Sequence, residues 1–103
     1  MPKIHSDAAV KIGQRVRAVR RRLGISLEDL GELSEISWTS IGKIERGVSS
    51  PTVETIVRLA TALEVDPGSL IEGIDANDYG SRSHRFTVRD LIEARDRQQR
   101  EGA

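Results

Sequence analysis

Apolar residues recur along most of the chain at the spacing typical of amphipathic helices. The first apolar face has spacings of 4, 3 and 4 positions and consists of Ile12, Val16, Val19 and Leu23. Ser6 or Asp7 can cap the start of this helix, and Gly24 can end it in a left-handed conformation. Because no segment of useful length alternates as a strand does, the pattern predicts an all-α fold.

Two short helices are predicted next. Ser26 can cap a helix over 27–34, with Asp29 in the place that a capping box requires. Ser37 can cap another helix over 38–46. Two short helices joined by a turn of three or four residues are the arrangement of a helix-turn-helix unit.

Two further helices complete the predicted domain. Thr52 can cap a fourth helix, whose inner face is predicted to consist of Val53, Ile56, Leu59, Ala60 and Leu63. Pro67 suits the first position of a short fifth helix, which is expected to end near Ile71. The five helices together predict one helix-turn-helix domain over residues 7–73.

The chain after residue 73 has a different composition. Residues 74–86 are polar and contain glycine and serine, so they are interpreted as a linker or mobile loop. A last helix is predicted over 87–100, with a short apolar face made of Val88, Leu91 and Ile92. Because such a helix is marginal alone in water, we expect it to dock on its own domain or to act in dimerisation.

Composition narrows the possible classes of protein. The 103 residues suit a single domain, and their three aromatic residues require an aliphatic core. The absence of cysteine excludes a disulfide scaffold, a thiolate zinc site and a cysteine nucleophile. No apolar run approaches the ~20 residues that span a bilayer, and the first residues lack the apolar region of a signal peptide. A cytoplasmic protein without membrane contact is therefore expected.

The 16 basic and 16 acidic residues are unevenly distributed. Residues 1–25 hold seven basic residues and one acidic residue, whereas residues 26–72 hold three basic and nine acidic residues. A basic helix face can supply the local electrostatic footprint of a nucleic-acid-binding protein even at zero net charge. The alternative interpretation of Arg20, Arg21 and Arg22 is a solvated helix end, where cations complement the helix dipole.

The sequence lacks the patterns of catalytic and metal-binding sites. Residues 75–80 imitate the start of a calcium loop, but Phe86 stands where that loop needs a bidentate glutamate. His5 and His84 are far apart and have no second ligand at helical spacing, so surface histidines are expected. No glycine-rich phosphate loop occurs. We therefore expect no enzyme, no metal and no cofactor.

Residues 12–71 resemble the Cro/repressor-type (Xre-type) helix-turn-helix family. The resemblance covers about 60 of the 103 residues and rests on the segments IGQRVRAVRRRLGIS, LEDLGELSEIS, WTSIGKIERG and SPTVETIVRLATALEVDPGSLI. Gly31 supplies the small residue needed where the two motif helices cross. The family implies a five-helix all-α domain that binds double-stranded DNA, often as a homodimer, with the second motif helix in the major groove.

The resemblance also implies roles for individual residues. Base contacts are expected from Trp38, Thr39 and Lys43 in the recognition helix, with Lys43 suited to a guanine and Thr39 to a base edge or a thymine methyl. Trp38 has a second interpretation as a core residue, because tryptophan is seldom left exposed without reason. Contacts to the DNA backbone are expected from Ser26, Ser37, Arg46, Ser49, Ser50, Arg15 and Arg17.

An ion pair between Arg20 and Glu45 is also implied, and it would fix how the recognition helix stands on the domain. Three positions depart from the family pattern: Glu35 replaces a glycine of the turn, Leu27 replaces a glutamine that reaches the DNA backbone, and Trp38 replaces a glutamine or arginine. Two functions stay open. The first is a dimeric, sequence-specific DNA-binding regulator of transcription, and the alternative is a protein-interaction module such as an antitoxin-like partner.

Overall fold

The fold is all-α. The computed structural model describes residues 3–80 and 86–102, and this part of the chain contains no strand. Its helices, in chain order, are α1 (Asp7–Arg22), α2 (Leu27–Ser34), α3 (Trp38–Glu45), α4 (Val53–Leu63), α5 (Pro67–Ile71), a short 3-10 helix (Ala76–Tyr79) and α6 (Val88–Glu101).

Local side-chain hydrogen bonds define where the first two helices begin. Ser6, and not Asp7, caps α1, because its hydroxyl accepts a hydrogen bond of 3.0 Å from the backbone N–H of Ala9. Ser26 and Asp29 form a reciprocal capping box at α2, with both bonds at 3.0 Å. The Ser26 N–H that donates to Asp29 lowers the pKa of that carboxyl below its usual value.

The core lies where α1 to α5 meet. Its buried side chains are Ile12, Val16, Leu30, Ile41, Ile44, Ile56, Leu59, Ala60, Leu63 and Leu70. Two members of the predicted apolar faces are outside it: Val53 is 77 % exposed and Leu23 is 51 % exposed. Both predictions were wrong for the same reason. Val53 begins α4 and Leu23 follows the last residue of α1, so neither is within a packed stretch of helix.

The first residues of the predicted linker are attached to the domain. Ile74 packs against the core, and the 3-10 helix that follows contacts α1. Lys11 Nζ lies 2.6 Å from Asp78 Oδ1, and this bond lowers the pKa of Asp78. From its polar composition this segment had been predicted to bury almost no side chains. Residues 81–85, which include His84, lie outside the described residues.

Helix α6 begins with a capping box between Thr87 and Asp90, and none of its described residues is buried. Its predicted apolar face is solvent-exposed at Val88, Leu91 and Ile92. Docking of this helix therefore stays a prediction. Among the described residues no helix has both the length and the apolar character needed to cross a membrane. The same residues contain no group of three or more potential side-chain ligands placed to hold a metal ion.

Candidate nucleic-acid interface

The turn between α2 and α3 is closed by a left-handed residue. Glu35 has φ 60° and ψ 34°, and the backbone N–H of Ile36 donates to the carbonyl of Gly31 at 3.1 Å. A non-glycine residue in this conformation costs roughly 1 kcal/mol. The Glu35 carboxylate lies 3.2 Å from Arg58 on α4, so its side chain has an ionic partner at the surface.

Two glycines let the helices around α3 approach closely. A Cβ on Gly31 would lie 2.9 Å from the carbonyl oxygen of Ile36 and 3.2 Å from the backbone nitrogen of Trp38. This geometry confirms the predicted need for a small residue where the motif helices cross. Gly13 serves the same purpose on α1, because a Cβ there would overlap the carbonyl oxygen of Ile44. Residues larger than glycine at these positions would push α3 away.

The buried side of α3 is bound by Arg20, as the family resemblance implied. Its Nε and Nη2 donate to the two carboxylate oxygens of Glu45 at 2.7 and 2.9 Å, and Nη1 donates to the carbonyl of Ile25 at 3.0 Å. The bond to Glu45 raises the pKa of Arg20 despite the opposing effect of desolvation. The planar guanidinium thus connects α1 to the back of α3 and to the chain before α2.

The opposite side of α3 is open to solvent. Thr39 and Lys43, one turn apart, are exposed there, together with Arg46, which follows the last residue of the helix. Trp38, in the first turn, is also exposed, although a Cβ on Gly31 of α2 would lie 3.3 Å from its own Cβ. Trp38 is 52 % exposed, so the interpretation of this side chain as a core residue was wrong. Four side chains with apolar, hydroxyl and cationic chemistry therefore project from one short helix.

The remaining candidate DNA contacts differ in their surroundings. Ser26 and Ser50 are exposed and Ser49 is half-buried. Ser37 occupies the position before α3, but its side chain makes no capping hydrogen bond, so the prediction that it caps this helix was wrong. Its backbone angles, φ −54° and ψ 130°, are close to those of Asp66, which does cap α5, so the missing bond comes from the direction of the Ser37 side chain and not from its backbone.

The two arginines of α1 are less closely associated with α3. Arg17 is exposed on that helix. Arg15 is half-buried and Nη1 donates to the carbonyl of Leu70 at 3.2 Å, so this side chain packs against α5. The structure thus leaves Trp38, Thr39 and Lys43 exposed on α3 but gives Arg15 a contact within the domain.

Comparison with known proteins agrees with this architecture. A helix-turn-helix family model, HTH_3, matches residues 16–70. The chain belongs to the HTH_3 family. It is 30 % identical over 74 residues to the HTH-type transcriptional regulator DdrOP3 of Deinococcus deserti, an alignment that covers 72 % of this chain and 56 % of that regulator. The chain therefore spans only about half the length of this relative.

Two solved HTH_3-like structures resemble the domain. The restriction-modification controller protein C.AhdI of Aeromonas hydrophila is 40 % identical, with a TM-score of 0.59 over 60 % of this chain and 94 % of the controller protein. The c2 repressor of Salmonella phage P22, crystallised with a synthetic operator, is 34 % identical, with a TM-score of 0.57 over the same shares. In both cases nearly the whole neighbour is matched by the helix-turn-helix part of this chain.

One feature of this HTH_3 domain was missed by sequence analysis. Gly42, in the middle of α3, is buried, and a Cβ built on it would lie 3.1 Å from Nη1 of Arg46 and 3.9 Å from Cδ1 of Leu27. The Arg46 side chain therefore runs back along α3 and covers this glycine. The only signal in the sequence was a glycine inside a short helix, four positions before an arginine.

Proposed function

We propose that this HTH_3 protein is a sequence-specific DNA-binding regulator of transcription. The observation that carries the proposal is the exposed side of α3, where Trp38, Thr39 and Lys43 project while the buried side is attached to the core. A single α-helix fits the major groove of B-DNA, and this arrangement would present three side chains to base edges. The names of DdrOP3, a transcriptional regulator, and of the P22 repressor support the same function.

The side chains of α3 suit different parts of the DNA. Lys43 can donate to N7 and O6 of guanine, and Thr39 can bond a base edge or meet a thymine methyl. Trp38 offers an apolar surface to a deoxyribose or a thymine methyl. Arg46, at the end of the helix, is suited to a phosphate, because phosphate contacts fix the register of a protein on the duplex. Within this proposal the chain has no catalytic role and acts in the cytoplasm.

We further propose that the protein acts as a homodimer. One recognition helix covers few base pairs, and two-fold symmetric proteins contact half-sites about 34 Å apart. The exposed Val88, Leu91 and Ile92 face of α6 would strengthen the contact between two copies. Light scattering of the full chain and of a Leu91→Glu, Ile92→Glu variant tests this, and a monomer at tens of micromolar in both samples would contradict dimerisation.

DNA binding is tested by fluorescence anisotropy on genomic fragments over a range of salt concentrations. Lys43→Ala should relax the preference for one base pair per half-site, which corresponds to roughly 1–3 kcal/mol of discrimination. Arg46→Ala should weaken binding to all sequences alike and reduce the salt slope by about one. Arg97→Ala removes the same charge from α6, on the face opposite Val88, Leu91 and Ile92, and is the control. If neither α3 variant alters binding, the proposal fails.

The protein-interaction module remains the second candidate because of one surface. Leu33 on α2 is 63 % exposed and Val57 on α4 is also exposed. Both line a groove of about 410 Å³ between these helices, together with Thr61 and Ala62. Failure of the wild-type protein to bind any duplex DNA at low salt would favour this candidate over DNA recognition.

A further inference from the structure

Gly42 is unlike the glycines that bring α3 close to its neighbours. A Cβ on Gly13 or Gly31 would meet main-chain atoms of the chain segment packed against it. A Cβ on Gly42 would meet only side chains, and its short contact is with the end of Arg46. Glycine in a helix interior is less favourable than alanine, so its presence here needs a reason other than backbone packing.

The position of Arg46 supplies that reason. Side chains of an α-helix point towards its N-terminus, so a residue at position i+4 can cover position i. Nη1 of Arg46 lies 3.1 Å and Cζ 3.9 Å from the place where a Gly42 side chain would begin. Leu27, the first residue of α2, borders the same place at 3.9 Å. The guanidinium thus lies beside Gly42, on the part of α3 that the beginning of α2 also borders.

The guanidinium of Arg46 has no charged or hydrogen-bonding partner among the described residues of the domain. Among residues 3–80 and 86–102, no carboxylate forms an ion pair with it and no hydrogen bond engages its guanidinium. Arg20 contrasts with Arg46, because all three of its guanidinium nitrogens donate hydrogen bonds within the protein. A guanidinium that lies along the helix surface with free donors is suited to an external anion, because a side chain already directed to that place loses less conformational freedom on binding.

We infer that Gly42 is a positioning residue whose missing side chain lets Arg46 lie back along α3 and meet a DNA phosphate beside the first turn of α2. The inference rests on the proposed DNA-binding function and adds to it a residue that need not touch DNA. The Leu27 side chain cannot donate a hydrogen bond to a phosphate at this place. The Arg46 guanidinium, which borders Gly42 as Leu27 does, supplies a side-chain donor there instead.

A double-mutant cycle tests the inference. The four proteins are the wild type, Gly42→Val, Arg46→Ala and the double variant, each titrated against a labelled mixed-sequence duplex of about 30 base pairs, long enough for two half-sites. Arg46→Ala should weaken binding about tenfold and lower the salt slope by about one. Gly42→Val, whose methyl groups would occupy the place of the guanidinium, should cause a similar loss in the wild type and little further loss in Arg46→Ala.

Two additional variants separate positioning from folding. Gly42→Ala should cause a smaller loss of affinity than Gly42→Val, with a melting temperature no lower than that of the wild type, because alanine favours the helix. Gly68→Ala is the matched control, since its Cβ would make only an ordinary contact of 3.4 Å with Asp66, in a helix away from Arg46. It should bind like the wild type. If Gly42→Val does not fold, the cycle with Gly42→Ala decides the question.

The outcomes distinguish this inference from the proposed function. Equal losses from the Gly42 substitution with and without Arg46 would mean that DNA itself approaches the glycine, and would overturn the inference while DNA binding stands. Wild-type affinity in Gly42→Val would also overturn it. If the wild-type protein does not bind the duplex at low salt, the proposed function fails and the inference fails with it.

Discussion

The two sides of α3 differ in burial and in the role that we assign to them. The inner side, formed by Ile41, Ile44 and Glu45, is buried against α1 and the core. The outer side, formed by Thr39 and Lys43 with the adjacent Arg46, is exposed, as is Trp38 at the start of the helix. On the inner side the Glu45 carboxylate is paired with Arg20. On the outer side Lys43 and Arg46 have no ionic partner among the described residues.

The difference shows that one side of α3 sets the orientation of this helix on the domain, whereas the other side is available to bind a ligand. Inner contacts determine where α3 stands, because main-chain atoms of α1 and α3 nearly touch at Gly13. Outer side chains contribute little to stability and are free to meet a ligand. Substitutions on the inner side should therefore change the free energy of unfolding, and those on the outer side should change binding.

The largest effect is expected at the contact between α1 and α3. Gly13→Ala would place a methyl group on the Ile44 carbonyl and within 2.9 Å of the Glu45 carbonyl oxygen, so the helices must separate. We expect a loss of about 3 kcal/mol in the free energy of unfolding, although alanine is the better helix former. Urea denaturation measures it. Stability equal to that of Gly68→Ala would show that the two helices can separate at no cost.

The next effect concerns the ion pair behind α3. Arg20→Met leaves the Glu45 carboxylate, whose side chain is 5 % exposed, without its partner. The expected loss is about 2 kcal/mol, discounted from that of a fully buried pair because Arg20 is partly exposed. Arg22→Met removes an exposed arginine of the same helix and should leave the melting temperature unchanged. Equal, small effects of the two variants would mean that the pair does not hold α3.

On the outer side, Trp38→Ala should separate binding from stability. Because Trp38 is half-exposed, its removal should leave the melting temperature near that of the wild type while DNA affinity falls about tenfold. Anisotropy measures the affinity and circular dichroism the melting curve. A clearly lowered melting temperature would assign the indole to the inner side and weaken the division between the two sides.

The smallest effect is expected at a more exposed ion pair, which provides a contrast to the buried one. Lys11 holds the pKa of Asp78 below its ordinary value of 3.8. A lowered folded-state pKa means that this stabilisation is complete above the ordinary value and is lost as the pH falls through the folded one. Asp78→Asn should therefore reduce stability slightly at neutral pH and flatten the acid limb of its pH profile. A variant profile that coincides with that of the wild type would exclude the contribution.

Helix boundaries were the most predictable part of the structure. The capping box of Ser26 and Asp29, the Thr52 cap and the Pro67 start depend on residues only a few positions apart, so local chemistry decides them. The resemblance identified the Arg20 and Glu45 pair, which are 25 positions apart. The exposure of Val53, the missing cap at Ser37 and the docking of Asp78 on α1 were not predicted. The exposure of Val53 and the docking of Asp78 depend on where another helix lies, which local spacing does not record.

The sequence by itself determined that this chain is a helix-turn-helix domain of five helices followed by a further one. Apolar spacing and caps specify the helices, and the family segments specify their arrangement. Only the tertiary structure decided that Trp38 is half-exposed, and that Arg46 and Leu27 both border Gly42. The physical reason is that exposure and side-chain direction follow from the packing of one helix against others, which no local pattern along the chain records.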